Sequence, residues 1–295
     1  MSLAARILTP SDEPQLREFL LAHRDVSLFL LNNLQSSGIV AGNLPYQGQY
    51  WGAFEQGRMV GVVAHYWQGM VLPSAPRGLE HIAPLLAEQA DRPVQGIIGD
   101  RAQVDWLGDY FQVQRWRMDN PEPLYTLDLQ QLQVPTALRD GELSVRLATP
   151  ADEDWLVEWR IVYAGETMAE PDNAETRRRA RALMQQEIPS GHLFVLCRSG
   201  EPVAMSGFNA QAAQTVQIGG VFTPQEQRGR GYGRAVVAGS LLLAREQGVQ
   251  RSVLFTGHDN IAAQRAYESL GYQRSGEFGM KLLDEPLFAE RFPTP

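Results

Sequence analysis

The chain of 295 residues carries one short pattern twice, at an offset of 140 residues. The segment from Arg6 to Glu13 recurs from Arg146 to Glu153, and Leu16 then corresponds to Leu156. Each copy has a short apolar run, then Thr-Pro, then Asp-Glu. This order is typical of a helix start, with a capping Thr, a Pro in the first turn and acids where the helix dipole favours them. The repeat therefore predicts two copies of one α/β unit.

Two further matches follow in the same order. The first is a predicted β-hairpin, in which two apolar runs flank a polar turn with glycine. The hairpin runs are Tyr50–Phe54 and Met59–Val63 in the first copy, and Phe194–Cys197 and Pro202–Met205 in the second. The looser match pairs residues 94–100 with residues 253–259. Chance similarity of helix caps is the alternative, and three matches in one order weigh against it.

The second copy predicts an alternation of strands and helices. The predicted strands are Ser144–Ala148, His192–Arg198, Pro202–Asn209, Thr215–Thr223, Ser252–Thr256 and Gly276–Leu283. The predicted helices are Ala151–Tyr163, Arg177–Glu187, Gly231–Gln247 and Ile261–Leu270. The two copies join near residues 129–142, where Gln, Pro and an Asp-Gly pair interrupt the pattern.

Composition excludes several classes of function. The formal net charge is −8, which argues against a nucleic-acid partner. The single cysteine, Cys197, has no internal disulfide partner, and no Cys/His cluster has metal-ligand spacing. The first residues lack the apolar region of a signal peptide, and no apolar run approaches the ~20 residues of a membrane helix. We therefore expect a cytoplasmic protein with no metal and no membrane partner.

A glycine-rich loop is the segment that most directly indicates chemistry. An apolar strand ends at Thr223-Pro224, glycines alternate at 229, 231 and 233, and an apolar helix follows. The first turn of a helix has unpaired backbone N–H groups and the positive end of the helix dipole, so it binds anions. Glycines let a phosphate approach the backbone, and the arginines at 228, 230 and 234 add donors.

Judged from these residues alone, the glycine-rich loop has three other interpretations: a dinucleotide-binding loop, a P-loop or a purely structural turn. A dinucleotide fingerprint requires GxGxxG, and a P-loop requires GxxxxGK[ST]; the glycines here run GxGxG, and the only lysine is Lys281. The third is a glycine-rich turn that merely enters a helix.

The loop and the segment after it resemble the GNAT family of acyl-CoA N-acyltransferases. The family signature Gln/Arg-x-x-Gly-x-Gly/Ala is matched from Arg228 to Gly233. A second family signature, one strand later, is matched by Asn260, Ala263, Tyr267 and Leu270-Gly271-Tyr272. The resemblance covers most of residues 144–283 and implies an α/β (α+β) fold with a mixed sheet. Each tandem domain is then a mostly antiparallel sheet flanked by helices, with a splayed parallel strand pair that holds acyl-CoA.

The resemblance also implies which residues do what. The implied binding residues for the acetyl-CoA or other short acyl-CoA co-substrate are Val221, Phe222, Thr223, Arg228, Gly229, Arg230, Gly231, Tyr232, Gly233, Arg234 and Asn260. The backbone near Gly220 and Val221 is the implied oxyanion donor, and Tyr267 is the implied general acid for the leaving thiolate. Alternatively, Tyr267 is simply a half-buried helix aromatic.

The general base is not identified by the sequence. Many members of the family place a glutamate on the fourth strand, and residues 215–221 contain no carboxylate. Glu166, Glu170 or a chain of waters are the alternatives.

The resemblance predicts a degenerate GNAT-like domain at 1–130, a linker at 131–142 and a catalytic domain at 143–295. The first copy has neither signature: residues 72–81 contain one glycine, and residues 100–110 lack the Asn-to-Tyr pattern. Five aromatics of this copy, Tyr46, Tyr50, Trp51, Tyr66 and Trp67, line a pocket or, as the better hypothesis, fill its core.

The predicted function is transfer of an acetyl or short acyl group to an amine of a small molecule, by a monomer or a homodimer. A non-catalytic acyl-CoA sensor is the alternative, and a dinucleotide oxidoreductase is a third possibility. The acceptor is not readable from the sequence.

Overall fold

The computed structural model describes residues 3–288, which divide into two compact units. The first unit contains residues 3–125, 255–259 and 274–288 of the described chain, and the second contains residues 126–254 and 260–273. The last strand of the second sequence copy lies in the first unit.

The first unit is a mixed sheet with helices. Its strands are β1 (Leu3–Ile7), β2 (Gly48–Glu55), β3 (Arg58–Tyr66), β4 (Met70–Ser74), β5 (Val94–Asp100), residues 116–125 of β6 (Trp116–Asp128) and most of β12 (Gln273–Leu287). Its helices are α1 (Glu13–Ala22), α2 (Arg24–Ser37), α3 (Leu79–Gln89) and α4 (Arg101–Tyr110). The strand order is β1-β2-β3-β4-β5-β12-β6. β4 and β5 are parallel, whereas β12 runs antiparallel to β5.

The second unit repeats the plan. Its strands are β7 (Leu143–Leu147), β8 (Leu193–Arg198), β9 (Glu201–Ala212), β10 (Thr215–Phe222) and β11 (Arg251–Phe255). Its helices are α5 (Thr136–Arg139), α6 (Glu153–Met168), α7 (Ala174–Ser190), α8 (Tyr232–Glu246) and α9 (Ile261–Ser269). The order is β11-β10-β9-β8-β7, with β10 and β11 parallel and the other pairs antiparallel. The predicted α/β class and the mixed sheet flanked by helices are confirmed.

The internal repeat is visible in the hydrogen bonds of both helix starts. Thr9 and Thr149 each form a capping box with the aspartate three residues later, Asp12 and Asp152. The guanidiniums of Arg6 and Arg146 each donate twice to that aspartate, at 2.6–2.8 Å.

The predicted hairpins also match in detail. The turn residues Gln56 and Gly57 have φ of 50° and 77°, and Ser199 and Gly200 have 52° and 86°. Positive φ at both positions is the turn geometry that suits a two-residue hairpin.

The elements of the second copy are found where they were predicted, with differences in length. α6 continues to Met168 and α7 starts at Ala174, so both helices are longer than predicted. The final strand is also longer than the predicted Gly276–Leu283. α7 begins after its N-cap Asn173, whose side chain accepts a hydrogen bond from the Thr176 N–H, and it ends at Gly191 in the left-handed conformation.

Each unit has its own core. The aromatics Tyr50, Trp51 and Tyr66 of the first copy are fully buried, which confirms core packing for these three. In the second unit the core lies between α6, α7 and the sheet, and includes Leu156, Val195, Met205 and Phe222.

Candidate functional site

A fork between two parallel strands is the central feature of the second unit. β10 and β11 pair from Thr215 to Gln217, whose partner is Val253. β10 then continues to Phe222 beside β9 alone, and its register shifts between Gly219 and Phe222. Gly220 has φ of 58°, which marks a bulge in the shift. A further register shift lies between Gln217 and Ile218, where the pairing of β10 with β11 ends, and this end of the pairing is the fork.

The glycine-rich loop forms the entrance to α8, as predicted. Gly229 and Gly231 both have φ of 76°, a left-handed conformation that glycine adopts readily. Gly231 is the N-cap of α8 and has no side-chain capping bond. The first backbone bond into the helix comes from the N–H of Ala235 to the Gly231 carbonyl, at 3.0 Å.

Six consecutive backbone N–H groups at this entrance are free. Within residues 3–288, no acceptor receives a hydrogen bond from the amides of Gly229 to Arg234. A Cβ placed at Gly229 would meet nothing within 4 Å. Unpaired amides at the positive end of a helix dipole are an arrangement that favours anions.

The strand and the helix entrance lie side by side. A Cβ at Gly233 would be 3.7 Å from Thr223 Oγ1 and 3.9 Å from Val221 Cγ1. Val221 and Thr223 are half-buried, whereas Phe222 points the other way into the core at 5% exposure. Of these three predicted residues, Phe222 can therefore offer a ligand only its backbone.

Arg228 is held by the protein. Its Nε donates to the Thr223 carbonyl at 2.9 Å, and its Nη2 donates to Glu166 Oε1 and Oε2 at 2.8 and 2.6 Å. The guanidinium carbon lies 5.9 Å from the centre of the Phe222 ring. Arg228 therefore ties the strand end and the helix α6 to the loop, a role that the sequence analysis did not foresee.

The other residues of the loop differ in their exposure. Arg230 and Arg234 are exposed, and Nη2 of Arg230 donates to the Glu226 carbonyl at 3.5 Å. Tyr232 is 5% exposed, and its hydroxyl accepts a hydrogen bond from Arg198 at 3.1 Å. Arg230 and Arg234 are thus the side-chain cations available beside the six amides, while Tyr232 contributes its backbone.

Asn260 and Tyr267 lie at the two ends of α9. Asn260 is the N-cap, and its Oδ1 accepts from the Ala263 N–H at 3.2 Å. Asp100 caps α4 in the first unit in the same way, since its side chain accepts a hydrogen bond from the Gln103 N–H. The oxygen of Asn260 therefore supports the helix, and its exposed amide nitrogen is the group left for a ligand.

Tyr267 is 8% exposed, and burial raises the pKa of its phenol above the ordinary value, with a further contribution from Tyr163 on α6. Its ring meets that of Tyr272 edge-on, with centroids 6.0 Å apart. A raised pKa keeps the hydroxyl protonated at neutral pH, as a proton donor must be. Burial also agrees with the alternative of a packed helix aromatic.

Both glutamates that were considered as a general base form ion pairs with arginines. Glu166 is paired with Arg228, and Glu170 is paired with Arg179 at 2.6 Å. One residue of the fork escaped the sequence analysis: Gln217 is the last residue of β10 that pairs with β11, and it is 2% exposed. A glutamine inside an otherwise apolar strand was the available signal.

The first unit lacks these features. Its chain passes from β4 to α3 in four residues, against nine between β10 and α8. Gly78 has φ of 82° at the α3 N-cap, but a Cβ there would press on Ala53 and Leu3. The Ala75 N–H, just beyond β4, donates to the Gln103 side chain at 2.7 Å. This backbone amide is therefore already hydrogen-bonded within the protein.

Two classes of site are absent from the described chain. Among residues 3–288, no helix has the length and apolar character needed to cross a membrane. In the same range, no three His, Cys, Asp or Glu side chains are grouped as metal ligands.

Comparison with known proteins agrees with this geometry. Residues 155–272 match the model of the acetyltransferase (GNAT) family. No curated protein matches the chain.

Solved structures share the fold over the whole chain at low identity. A Drosophila protein is 16% identical with a TM-score of 0.66, over 96% of this chain and 99% of its own. A GCN5-related N-acetyltransferase from Sphaerobacter thermophilus is 15% identical with a TM-score of 0.58, over 97% and 98%. A tandem GNAT protein from the clavulanic acid biosynthesis pathway is 14% identical with a TM-score of 0.55, over 95% and 98%.

Proposed function

We propose that this chain, whose residues 155–272 match the model of the GNAT acetyltransferase family, transfers an acetyl or short acyl group from acyl-CoA to an amine of a small acceptor. The observation that carries the proposal is the row of six unpaired amides from Gly229 to Arg234, next to the fork between β10 and β11. A diphosphate and a narrow amide-bearing arm fit this pair of features.

The residues present suit the two ends of the co-substrate. The amides of the loop, the α8 dipole and the exposed Arg230 and Arg234 would hold the diphosphate. The backbone of Val221, near the end of β10, and of Thr223, just after it, has no pairing with β11 and would pair with the amides of the pantetheine arm. Asn260 would face the same arm with its amide nitrogen.

Acyl-CoA supplies an activated thioester, and the chain supplies position and protons. The amine nitrogen forms a bond to the acyl carbon as the carbon–sulfur bond breaks. Backbone donors near Gly220 and Val221 would stabilise the charge on the acyl oxygen, and Tyr267 would protonate the departing sulfur. Holding both reactants in the fork contributes several kcal/mol through orientation.

The acceptor's proton has no assigned carboxylate. Glu166 is engaged with Arg228, and β10 has none. The reaction proposed here is therefore one in which the acceptor enters as a free amine. Its nitrogen releases one proton to solvent after attack, and Tyr267 regains from solvent the proton that it gives to the sulfur.

Two measurements on the full chain test the proposal. Titration calorimetry with CoA should show binding, which NAD(P) should not reproduce. Release of free thiol from acetyl-CoA should be accelerated by members of a panel of primary amines. CoA binding without turnover of any amine would favour the sensor, and binding of NAD(P) in place of CoA would favour an oxidoreductase.

A further inference from the structure

Gln217 stands where β10 and β11 part. It is the last residue of β10 that pairs with β11, and its side chain is 2% exposed. The Nε2 group donates to the carbonyl of the next residue, Ile218, at 2.5 Å. The first β10 carbonyl beyond the pairing thus receives a side-chain donor, which fixes the orientation of the Gln217 amide.

The other half of this amide has no partner. Among the described residues, Gln217 Oε1 is one of few buried side-chain atoms without a hydrogen bond. The assignment of oxygen and nitrogen is forced, because a carbonyl such as that of Ile218 can only accept. Native proteins nearly always provide a hydrogen-bond donor for a buried acceptor atom. A buried acceptor without a donor at the proposed site therefore suggests that the bound substrate supplies the donor.

The position along β10 indicates which part of the reaction supplies that donor. Gln217 precedes Val221 by four residues, about 13 Å at ~3.3 Å per residue, on the side away from the glycine-rich loop. If the pantetheine arm runs from that loop along Val221, the reacting end lies toward Gln217. A thioester has no N–H to offer, and the amides of the pantetheine arm are already assigned to the backbone at Val221 and Thr223. The acceptor's amine is the remaining donor.

A second amide lies on the same face. A Cβ at Gly219 would overlap the side chain of Asn209, which is exposed on β9. Residues 217 and 219 are two apart on one strand and share a face. The face that carries Gln217 is therefore exposed to solvent at Asn209, while Gln217 itself is buried beside it.

We propose that Oε1 of Gln217 accepts a hydrogen bond from the acceptor's amino group and positions it for attack. This inference rests on the proposed acyl transfer. The acceptor class is a primary amine that keeps one N–H for Gln217 while its lone pair faces the acyl carbon. An amide oxygen does not take a proton at neutral pH, so Gln217 is a positioning residue rather than a base.

The test compares three full-length variants with the wild type. Gln217→Met keeps the length of the side chain and removes its polar atoms. Gln217→Glu keeps an acceptor oxygen and adds a base. Ser206→Ala is the matched control, because Ser206 Oγ is a second buried orphan, at 0% exposure, on β9. The probes are CoA for binding and the amine from the panel with the highest turnover.

Gln217→Met should raise the KM for the amine about tenfold, the effect of one lost hydrogen bond, while the Kd for CoA changes less than twofold. Gln217→Glu should recover the low KM and extend kcat/KM to lower pH. Ser206→Ala should change neither constant.

An unchanged amine KM in Gln217→Met, or equal losses in amine KM and CoA affinity, would overturn the proposal for Gln217 alone. A wild type that binds CoA but turns over no amine would instead overturn acyl transfer, and this inference with it.

Discussion

The guanidinium of Arg228 donates to both carboxylate oxygens of Glu166, at 2.8 and 2.6 Å, and so joins the glycine-rich loop to α6. Both side chains are more than 40% exposed. An exposed pair contributes little to stability, about 0–1 kcal/mol. The pair matters more for the charge of the site. Glu166 neutralises the guanidinium of Arg228, which lies beside the proposed diphosphate site.

Removal of the Glu166 charge should therefore strengthen CoA binding. We expect Glu166→Gln to lower the Kd for CoA by a few-fold at low ionic strength, since Arg228 is released toward the phosphates and a nearby negative charge is lost. Screening at ~0.1 M salt should reduce the gain. Calorimetry at two salt concentrations measures it. Glu158→Gln is the control, because Glu158 is also exposed, at 58% against 43% for Glu166, and pairs with Arg177 instead. Weaker CoA binding in Glu166→Gln would show that the pair orders the loop.

The left-handed glycines of the loop give a second prediction. Gly231→Ala forces an alanine to φ of 76° and should reduce the free energy of unfolding by about 1–2 kcal/mol. It should also weaken CoA binding at least tenfold, because the amides no longer converge. Gly200→Ala imposes the same strain in a hairpin turn, at φ of 86° with open space around it. Similar stability loss in both variants, with CoA binding lost only in Gly231→Ala, is the expected pattern; equal CoA affinity would remove the loop from the site.

Tyr267 provides a third prediction. Tyr267→Phe should reduce kcat by a factor of about 10² to 10⁴ while the KM for acetyl-CoA changes little. Because the pKa of Tyr267 is raised by burial, its ionisation should not limit activity between pH 6 and 9. Tyr272→Phe serves as the comparison: it removes the 2.6 Å bond to Ser252 and should cost stability, about 1–2 kcal/mol, rather than turnover. Full activity in Tyr267→Phe would make this residue a packed aromatic only.

The capping aspartates predict how stability changes in acid. Hydrogen bonds from Arg146 lower the pKa of Asp152 to about 2, and Arg6 lowers that of Asp12 likewise. A carboxylate with a lowered folded-state pKa stabilises the protein above its unfolded pKa, near 4, and the contribution is lost as pH falls toward 2. For Asp152 this is on the order of 2 kcal/mol.

Thermal unfolding from pH 6 down to pH 2 measures this contribution. Asp152→Asn should be less stable than the wild type at pH 6, and the two should converge near pH 2. A difference that stays constant over this range would assign the effect to packing instead of charge.

Local sequence signals predicted the parts of the molecule that local forces determine. The offset of 140 residues correctly paired the capping boxes at Thr9 and Thr149, because a capping box is complete within four residues. The glycines at 229 and 231 predicted the left-handed loop for the same reason.

Contacts between distant residues escaped prediction. The pair of Arg228 with Glu166 joins residues far apart in the chain, and the orphaned oxygen of Gln217 depends on where two strands separate. The membership of β12 in the first unit was missed as well, since its residues predict a strand without naming its partner.

The placement of β12 has a consequence for synthesis on the ribosome. The first unit includes residues 274–288, and β12 runs antiparallel to β5 from Leu287 opposite Val94 to Phe278 opposite Asp100. The chain must be synthesised through Leu287 before the sheet of the first unit can be completed. Until then β5 presents an unpaired edge, the kind of surface that invites mispairing between nascent chains. The half that is translated earliest is consequently among the latest to mature.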